Sequence, residues 1–114
     1  MGTSEKREHR RLAVKLDLSC RKLGSLQQKL HTGRTVNVSP GGLYFQTEDD
    51  TFRQGNMLKV ELSIPPTAGL LEFGGRISGL AKVLRTYDNF TDASLSPGSY
   101  GVALQFHRSP KLCM

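Results

Sequence analysis

Apolar and polar residues alternate with a period of two along much of this chain, and this alternation constrains the fold more than any other feature. It is clearest in residues 58–64, where four apolar residues are separated by three polar ones: Leu58, Lys59, Val60, Glu61, Leu62, Ser63 and Ile64. Such alternation predicts a β-strand with one buried face. No stretch of about ten residues or more has the apolar stripe of an amphipathic helix. The chain is therefore predicted to be all-β.

Further strands are predicted on both sides of this one, at residues 12–18, 35–38, 43–47, 71–87 and 100–106. Residues 20–34 fit either a twisted strand interrupted at Gly24-Ser25 or a short helix, and the bracketing Gly24 and Gly33 favour the strand. Gly74, Gly75 and Gly79 give the long strand places to bulge or coil, as small closed barrels require. Six or seven short strands with glycine-rich turns predict a small antiparallel β-barrel. Residues 107–114 leave room for no more than a turn of helix.

The alternation also predicts which side chains enter the core. They include Leu18, Val36, Val38, Leu43, Phe45, Val102, Leu104 and Phe106. The two cysteines, Cys20 and Cys113, form no CxxC motif and have no metal-ligand spacing to the histidines. Cys20 is therefore predicted to be a small buried apolar residue, and a disulfide between the two cysteines is left open.

Length and composition fit one soluble domain, since 37% of the 114 residues are hydrophobic and 23% are charged. No apolar run approaches the roughly 20 residues that cross a bilayer, and no apolar segment follows the charged N-terminus. We therefore expect a cytoplasmic protein. The motifs GxSxG, HExxH and GxxxxGK[ST] are missing, and the acids at residues 48–50 suit a solubilising loop. Neither enzymatic activity nor a metal or cofactor is expected.

Basic residues are concentrated at the N-terminus. The net charge of +6 predicts an anionic partner: a nucleic acid, a nucleotide or an acidic lipid. The densest cationic segment contains Lys6, Arg7, Arg10 and Arg11. A charge run of this kind is often only a solvated surface. Residues 1–11 are predicted to form a flexible basic arm, and residues 12–114 the barrel.

A second cluster of polar residues lies in the segment "TVNVSPGGLYFQ", residues 35–46. Asn37 and Ser39 are two residues apart, so on a strand they leave the same face, and Val36 and Val38 leave the other. Gly42 allows the positive φ that a tight turn or a close ligand approach requires. Asparagine and serine before Pro-Gly-Gly often only form a turn. However, the amide of Asn37 and the hydroxyl of Ser39 can bind a base edge, and the guanidinium groups of the arm can bind guanine or phosphate. Together these groups suit a purine nucleotide with phosphate.

These two clusters give the chain a resemblance to the PilZ domain, a family of bacterial receptors for cyclic di-GMP. That family pairs an N-terminal RxxxR with a downstream [D/N]xSxxG, and here they read "REHRR" from Arg7 to Arg11 and "NVSPGG" from Asn37 to Gly42. The resemblance runs from Lys6 to about Phe106. It implies a six-stranded barrel that binds cyclic di-GMP on its outer surface. The family commonly ends in a C-terminal helix, whereas little or no such helix is expected in this chain.

The resemblance also implies the role of each site residue. Arg7 and Arg11 would contact guanine and phosphate, Asn37 and Ser39 would contact the second guanine region, and Gly42 would shape the loop. Further contacts are expected from Lys6, where the family often has a second arginine, and from Gly41. Arg10 is expected to contact phosphate on the ground of its charge alone. The number of ligand molecules bound is left open.

The function predicted in this way is that of a cyclic di-GMP receptor. Binding would order the arm and change a surface read by a flagellar, pilus, polysaccharide-synthesis or regulatory protein. One alternative is a PilZ-like adaptor that binds no nucleotide. Another is a small nucleic-acid-binding barrel, a class that stacks bases on exposed aromatic side chains. The chain has no tryptophan, and its Phe45 and Phe106 are assigned to the core.

Overall fold

The computed structural model of the chain describes residues 13–24, 29–65, 75–107 and 111–113. It contains seven β-strands: β1 (Asp17–Lys22), β2 (His31–Ser39), β3 (Gly42–Thr47), β4 (Met57–Ile64), β5 (Gly75–Tyr87), β6 (Tyr100–Phe106) and β7 (Lys111–Cys113). The described residues include no helix, and none of their segments forms one long and apolar enough to cross a bilayer. The all-β prediction is confirmed.

Six of the strands form a closed antiparallel barrel. Their order is β4-β1-β2-β3-β6-β5, and a further pairing between β4 and β5 closes the ring. β5 is long enough to pair with two strands along the same edge. Its residues Ala81 to Tyr87 pair with β6, and its residues 76–78 pair with β7. The tail, for which the sequence allowed only a turn of helix, therefore contributes a short strand.

The inward faces of the six strands form one core. Its buried members are Leu18, Cys20, Leu43, Phe45, Phe52, Leu58, Val60, Leu62, Ala81, Val83, Val102, Leu104 and Phe106. The alternation in β3, β4 and β6 therefore predicted their buried faces correctly. Cys20 is a free thiol and 1% exposed, as predicted, and burial raises its pKa to about 12. A thiol of this kind is inert as a nucleophile.

Two predicted boundaries are wrong. The first strand was expected from residue 12 but begins at Asp17, although Leu16 still packs against the core. Residues 20–34 were expected to form one strand interrupted at Gly24-Ser25. A turn does lie at Leu23 and Gly24, but the residues before it belong to β1 and those from His31 onward to β2. Gly24 has a φ of 81°, which favours glycine and ends the strand pattern there.

Val36 does not enter the core, contrary to the sequence prediction. The pairing of β2 with β3 passes from Thr35–Phe45 directly to Asn37–Tyr44, so Val36 is the extra residue of a β-bulge. Thr35 takes the buried position at 1% exposure, whereas Val36 is 36% exposed. Beyond the bulge the alternation resumes, and Val38 packs against the core as predicted.

A second bulge lies in β5, and it too differs from expectation. Gly74, Gly75 and Gly79 were expected to supply the irregularity. Gly74 lies outside the described residues, and Gly75 and Gly79 pair regularly with Ile64 and Val60 of β4. The register instead shifts between Val83 and Arg85, which leaves Leu84 as the extra residue. Both Leu84 and Arg85 are consequently exposed on the outer face of the barrel.

Candidate functional site

A groove lies on the outer face of the barrel, across strands β2, β3, β6 and β5. Its volume is about 710 Å³. One row of paired residues crosses all four strands: Asn37 pairs with Tyr44, Tyr44 with Ala103, and Ala103 with Arg85. All four members of this row line the groove. Since neighbouring strands are about 4.8 Å apart, the row spans about 14 Å along the sheet.

A second row runs beside the first. Ser39 pairs with Gly42, Gly42 with Gln105, and Gln105 with Lys82. The middle of each row contains a residue with little or no side chain, Ala103 in one and Gly42 in the other. Asn37 and Ser39 lie at the β2 edge, and Arg85 and Lys82 at the β5 edge. Tyr44 and Gln105 lie on the two central strands, beside the space that Ala103 and Gly42 leave for the floor of the groove.

The downstream motif predicted from the sequence lies at the β2 edge of this groove. Asn37 and Ser39 are half-buried and line it together with Gly41 and Gly42. The hydroxyl of Ser39 donates a hydrogen bond to the carbonyl oxygen of Gly42, at 3.2 Å. The turn interpretation of this segment therefore holds as well. Because a hydroxyl oxygen can also accept two hydrogen bonds, Ser39 can stabilise the hairpin and receive a donor from a bound molecule.

The structure assigns a different reason for glycine at position 42. Its φ is not positive; among the described residues positive values occur at Gly24, Gly55 and Gly98. A Cβ atom on Gly42 would instead lie 2.1 Å from the carbonyl oxygen of Leu104. Glycine is required here because β3 and β6 approach closely. The expectation of a positive φ at Gly42 was wrong.

Tyr44 is a wall of the groove that the sequence did not reveal. Its hydroxyl donates to Oδ2 of Asp92 at 2.6 Å, and its ring packs edge-on against Tyr87 with centroids 5.6 Å apart. The phenol reaches Asp92 by lying over the backbone of Gly101, where an added Cβ would come within 1.8 Å of the Tyr44 oxygen. Burial, followed by the hydrogen bond to Asp92, raises the pKa of Tyr44. The hydroxyl therefore stays protonated and remains a donor.

Arg85 lines the opposite edge of the groove, and among the described residues it is the cation in the lining. Strict alternation from the buried Val83 would turn Arg85 inward, but the bulge at Leu84 turns it outward. The sequence prediction missed this residue because a bulge of one residue leaves no clear signal in the pattern. Its guanidinium is suited to fork onto phosphate oxygens or a guanine edge.

The predicted site residues of the arm, Lys6, Arg7, Arg10 and Arg11, lie outside the described residues. The structure does fix the point from which the chain continues toward them. The side-chain oxygen of Thr35 donates to the carbonyl of Val14 at 2.6 Å and accepts from the amide of Leu16 at 2.8 Å. Thr35 precedes Asn37 in β2 by two residues. The segment that carries the arm is therefore attached beside the Asn37 edge of the groove.

A larger cavity of about 990 Å³ lies on another side of the barrel, along β1, β2 and the β3–β4 loop. It includes neither Asn37 nor Ser39, and its lining mixes both signs of charge. Within it, Nδ1 of His31 contacts the carboxylate of Asp49. The backbone amide and the hydroxyl of Thr51 both donate hydrogen bonds to Oδ1 of Asp49. Partial burial opposes ionisation, but the hydrogen bonds from Thr51 and the contact with His31 lower the pKa of Asp49 to about 2. Asp49 is therefore a structural residue rather than only a solubilising one.

The fold and groove define a class: a closed six-stranded antiparallel barrel with a polar groove on its outer surface. The family model for the PilZ domain matches residues 5–111, and the chain belongs to the PilZ domain family. The matched range includes residues 5–11 of the predicted arm, which lie outside the described residues. The family resemblance predicted from "REHRR" and "NVSPGG" is thereby confirmed.

Among solved structures, the chain is similar to that of the Bacillus subtilis inhibitor of motility, MotI/DgrA. The TM-score is 0.70 at 19% sequence identity, and the match covers 92% of this chain and 44% of that one. The chain thus spans less than half the length of this relative, and the likeness concerns the fold. No curated protein matches the sequence.

Proposed function

We propose that this protein is a cyclic di-GMP receptor that acts as an adaptor, with the ligand held between the outer groove and the N-terminal arm. The observation that carries the proposal is the joint position of Asn37, Ser39 and Arg85 around one groove. An amide and a hydroxyl stand at one edge and a guanidinium at the other. A ligand with two purine bases and two phosphates needs this combination of base-edge and anion contacts.

The attachment of the arm supports the same proposal. Arg11 and Arg7 precede the anchored Val14 by three and seven residues. An extended chain covers about 3.5 Å per residue, so Arg11 could reach about 10 Å and Arg7 about 25 Å from that anchor. These distances bracket the roughly 14 Å span of the groove. The two arginines can therefore reach a ligand on the groove from the side opposite its floor.

In this proposal the signal is a change of surface and not a reaction. Ligand binding brings Arg7 and Arg11 onto the groove, which orders the arm and creates a new surface for a downstream protein. Flagellar, pilus, polysaccharide-synthesis and regulatory proteins are the partner classes that the family implies. Because cyclic di-GMP is an intracellular messenger of bacteria, the proposal also implies a cytoplasmic bacterial protein that is not an enzyme.

Isothermal titration calorimetry with purified protein tests the proposal. Cyclic di-GMP is expected to bind with a dissociation constant in the micromolar range or below, whereas GTP and a short single-stranded DNA are expected to bind far more weakly. Limited proteolysis of residues 5–11 is expected to slow when cyclic di-GMP is added. Absence of cyclic di-GMP binding at tens of micromolar would refute the receptor function, and tighter binding of the DNA would favour a nucleic-acid-binding barrel.

A further inference from the structure

Phe90 is the most exposed apolar side chain among the described residues. It is 97% exposed, at the tip of the loop between β5 and β6. In the part of the chain that the structure describes, the other large apolar side chains at the surface are at most half exposed, Leu30 being the next at 50%. Exposed aromatic side chains on a fixed framework are typical anchors of protein–protein contacts, because they bury a large area when a partner covers them.

The loop that carries Phe90 is held by its own hydrogen bonds. Oδ1 of Asp88 accepts from the amides of Phe90 and Thr91 at 2.9 and 3.0 Å. The side-chain amide of Asn89 donates to the carbonyl of Leu95 at 2.7 Å, and Leu95 itself is buried. These bonds fix the backbone that carries Phe90, so docking its side chain would require little ordering of the loop.

Acidic residues are concentrated in the loop that carries Phe90 and in the loop next to it. The loops at residues 48–53 and 88–92 hold five of the ten acidic residues of a chain whose net charge is +6: Glu48, Asp49, Asp50, Asp88 and Asp92. The two loops meet at a cavity of about 240 Å³, whose charged lining residues are Asp49, Asp50, Asp88 and one cation, Arg53, so acids outnumber bases there. Phe90 therefore projects from a local anionic surface on an otherwise cationic protein. Charge complementarity favours a partner whose contact surface is basic.

The Phe90 loop is also connected to the ligand groove. Asp92 accepts the hydrogen bond of the Tyr44 hydroxyl at 2.6 Å, and Tyr44 lines the groove. The same Asp92 binds Ser94 through its other oxygen, at 2.6 Å. A molecule that displaces or presses on the Tyr44 ring therefore acts on a residue that fixes the loop two positions from Phe90.

We propose that residues 88–95 form a protein-docking element, which inserts Phe90 into an apolar pocket rimmed by lysine or arginine on another protein, and that Tyr44 couples this element to the groove. The docking surface itself does not depend on which ligand fills the groove. Its regulation by cyclic di-GMP rests on the function proposed above.

The coupling can be tested on the full chain without any ligand. Tyr44→Phe keeps the ring but removes the donor to Asp92, so amide hydrogen exchange in residues 88–95 is expected to accelerate at least threefold while β4 stays unchanged. Tyr87→Phe removes the hydroxyl of the adjacent ring and is the matched control. Equal exchange in wild type and Tyr44→Phe would overturn the coupling.

A tryptophan at position 90 tests whether the ligand acts on the loop. The chain has no tryptophan, so Phe90→Trp gives a single reporter. Its emission is expected to change on addition of cyclic di-GMP, and the change is expected to vanish in Phe90→Trp combined with Tyr44→Phe. If calorimetry detects binding but the emission stays constant, the regulation is refuted and the receptor function stands. If calorimetry detects no binding, the receptor function is refuted, and with it the regulation by cyclic di-GMP.

The docking chemistry can be tested with a random cyclic-peptide library selected on the wild-type protein and counter-selected on Phe90→Ser. The peptides that remain are expected to be rich in apolar residues and lysine or arginine. Their affinity is expected to fall at least tenfold in Phe90→Ser and at high salt, but not in Leu80→Ser, which removes another exposed apolar side chain. Failure to enrich any peptide, or enrichment of acidic or uncharged ones, would overturn the proposal, as would concentration-dependent self-association lost in Phe90→Ser.

Discussion

The hydroxyl of Thr35 joins β2 to the segment that precedes β1, since it donates to the carbonyl of Val14 at 2.6 Å and accepts from the amide of Leu16 at 2.8 Å. Its own backbone amide also donates to the carbonyl of Leu16 at 2.9 Å. The buried side chain of Thr35 thus attaches residues 14–16, which follow the arm, to β2. The bulge at Val36 then turns Asn37 to the outer face, two residues from this anchor.

Thr35→Val is therefore expected to weaken cyclic di-GMP binding as well as the fold. Valine has nearly the same shape, but it leaves the amide of Leu16 and the carbonyl of Val14 without their partner, at a cost of about 1–3 kcal/mol in the free energy of unfolding. Loss of the anchor also frees the arm, so the dissociation constant measured by calorimetry is expected to rise.

Thr47→Val provides the matched control for this change. The hydroxyl of Thr47 likewise bridges two backbone groups, the carbonyl of Thr32 at 2.7 Å and the amide of Asp49 at 3.1 Å, but at the other end of β2. We expect a similar loss of stability in chemical denaturation and an unchanged affinity. If both variants weaken binding equally, Thr35 acts only through stability.

Arg7→Ala and Arg11→Ala are each expected to weaken cyclic di-GMP binding by about 1.5–3 kcal/mol, the usual worth of a hydrogen bond to a charged group. Neither change should alter the denaturation midpoint if these side chains serve only the ligand. Arg21→Ala, on the exposed face of β1, is the control for loss of one positive charge. An arginine whose removal leaves the affinity at the wild-type value has no role in the site.

The sequence was sufficient for the barrel and for the motif on β2, and the reasons are local. Strict alternation in β4 and β6 places apolar side chains on one face, which tertiary packing then buries. Asn37 and Ser39 are two residues apart beyond the bulge, so they share a face regardless of what precedes them. Where strand pairing is regular, odd and even positions along the strand take opposite faces, so the sequence alone shows which side chains are buried.

The features that sequence reasoning missed arise from contacts between distant residues. Nothing in the pattern around Val36 or Leu84 marks a bulge, because a bulge depends on how the partner strands fit round a closed barrel. The contact of Tyr44 with Asp92 joins residues 48 positions apart and requires glycine at position 101. Arg85 was missed for the same reason, since its face is set by the bulge.

Arg85→Gln is expected to weaken cyclic di-GMP binding about tenfold, which corresponds to about 1.4 kcal/mol. Glutamine keeps a polar side chain of moderate length but removes the charge and the planar fork. The result is measured by calorimetry at low and moderate salt, because a charge contact weakens as salt increases. Arg76→Gln, on the outer face of the same strand near Glu61, serves as the control and should bind normally.

Gly42→Ala is expected to destabilise the barrel itself. The added Cβ would lie 2.1 Å from the Leu104 carbonyl oxygen, which belongs to the neighbouring strand and cannot rotate away. Separation of β3 from β6 should cost about 3 kcal/mol, the upper range for overpacking. Thermal unfolding measures this directly. An unchanged melting temperature together with weakened ligand binding would show instead that Gly42 serves the ligand alone.

Stability at acid pH is expected to depend on Asp49. Its pKa is lowered from 3.8 to about 2 in the folded protein, although partial burial acts against this, because Thr51 and His31 stabilise the carboxylate. A depressed pKa means that the unfolded chain binds the proton more readily. The contribution, about 1 kcal/mol once solvent screening is allowed for, is therefore present above pH 4 and is lost as the pH falls from about 4 to 2.

Asp49→Asn tests this assignment. The amide cannot ionise, so the free energy of unfolding at pH 7 should fall by about 1 kcal/mol, and the difference from wild type should shrink as the pH approaches 2. Asp50→Asn, the exposed neighbour, controls for removal of a negative charge from the same loop. A difference that stays constant from pH 7 to pH 2 would mean that Asp49 stabilises the loop by shape and not by its charge.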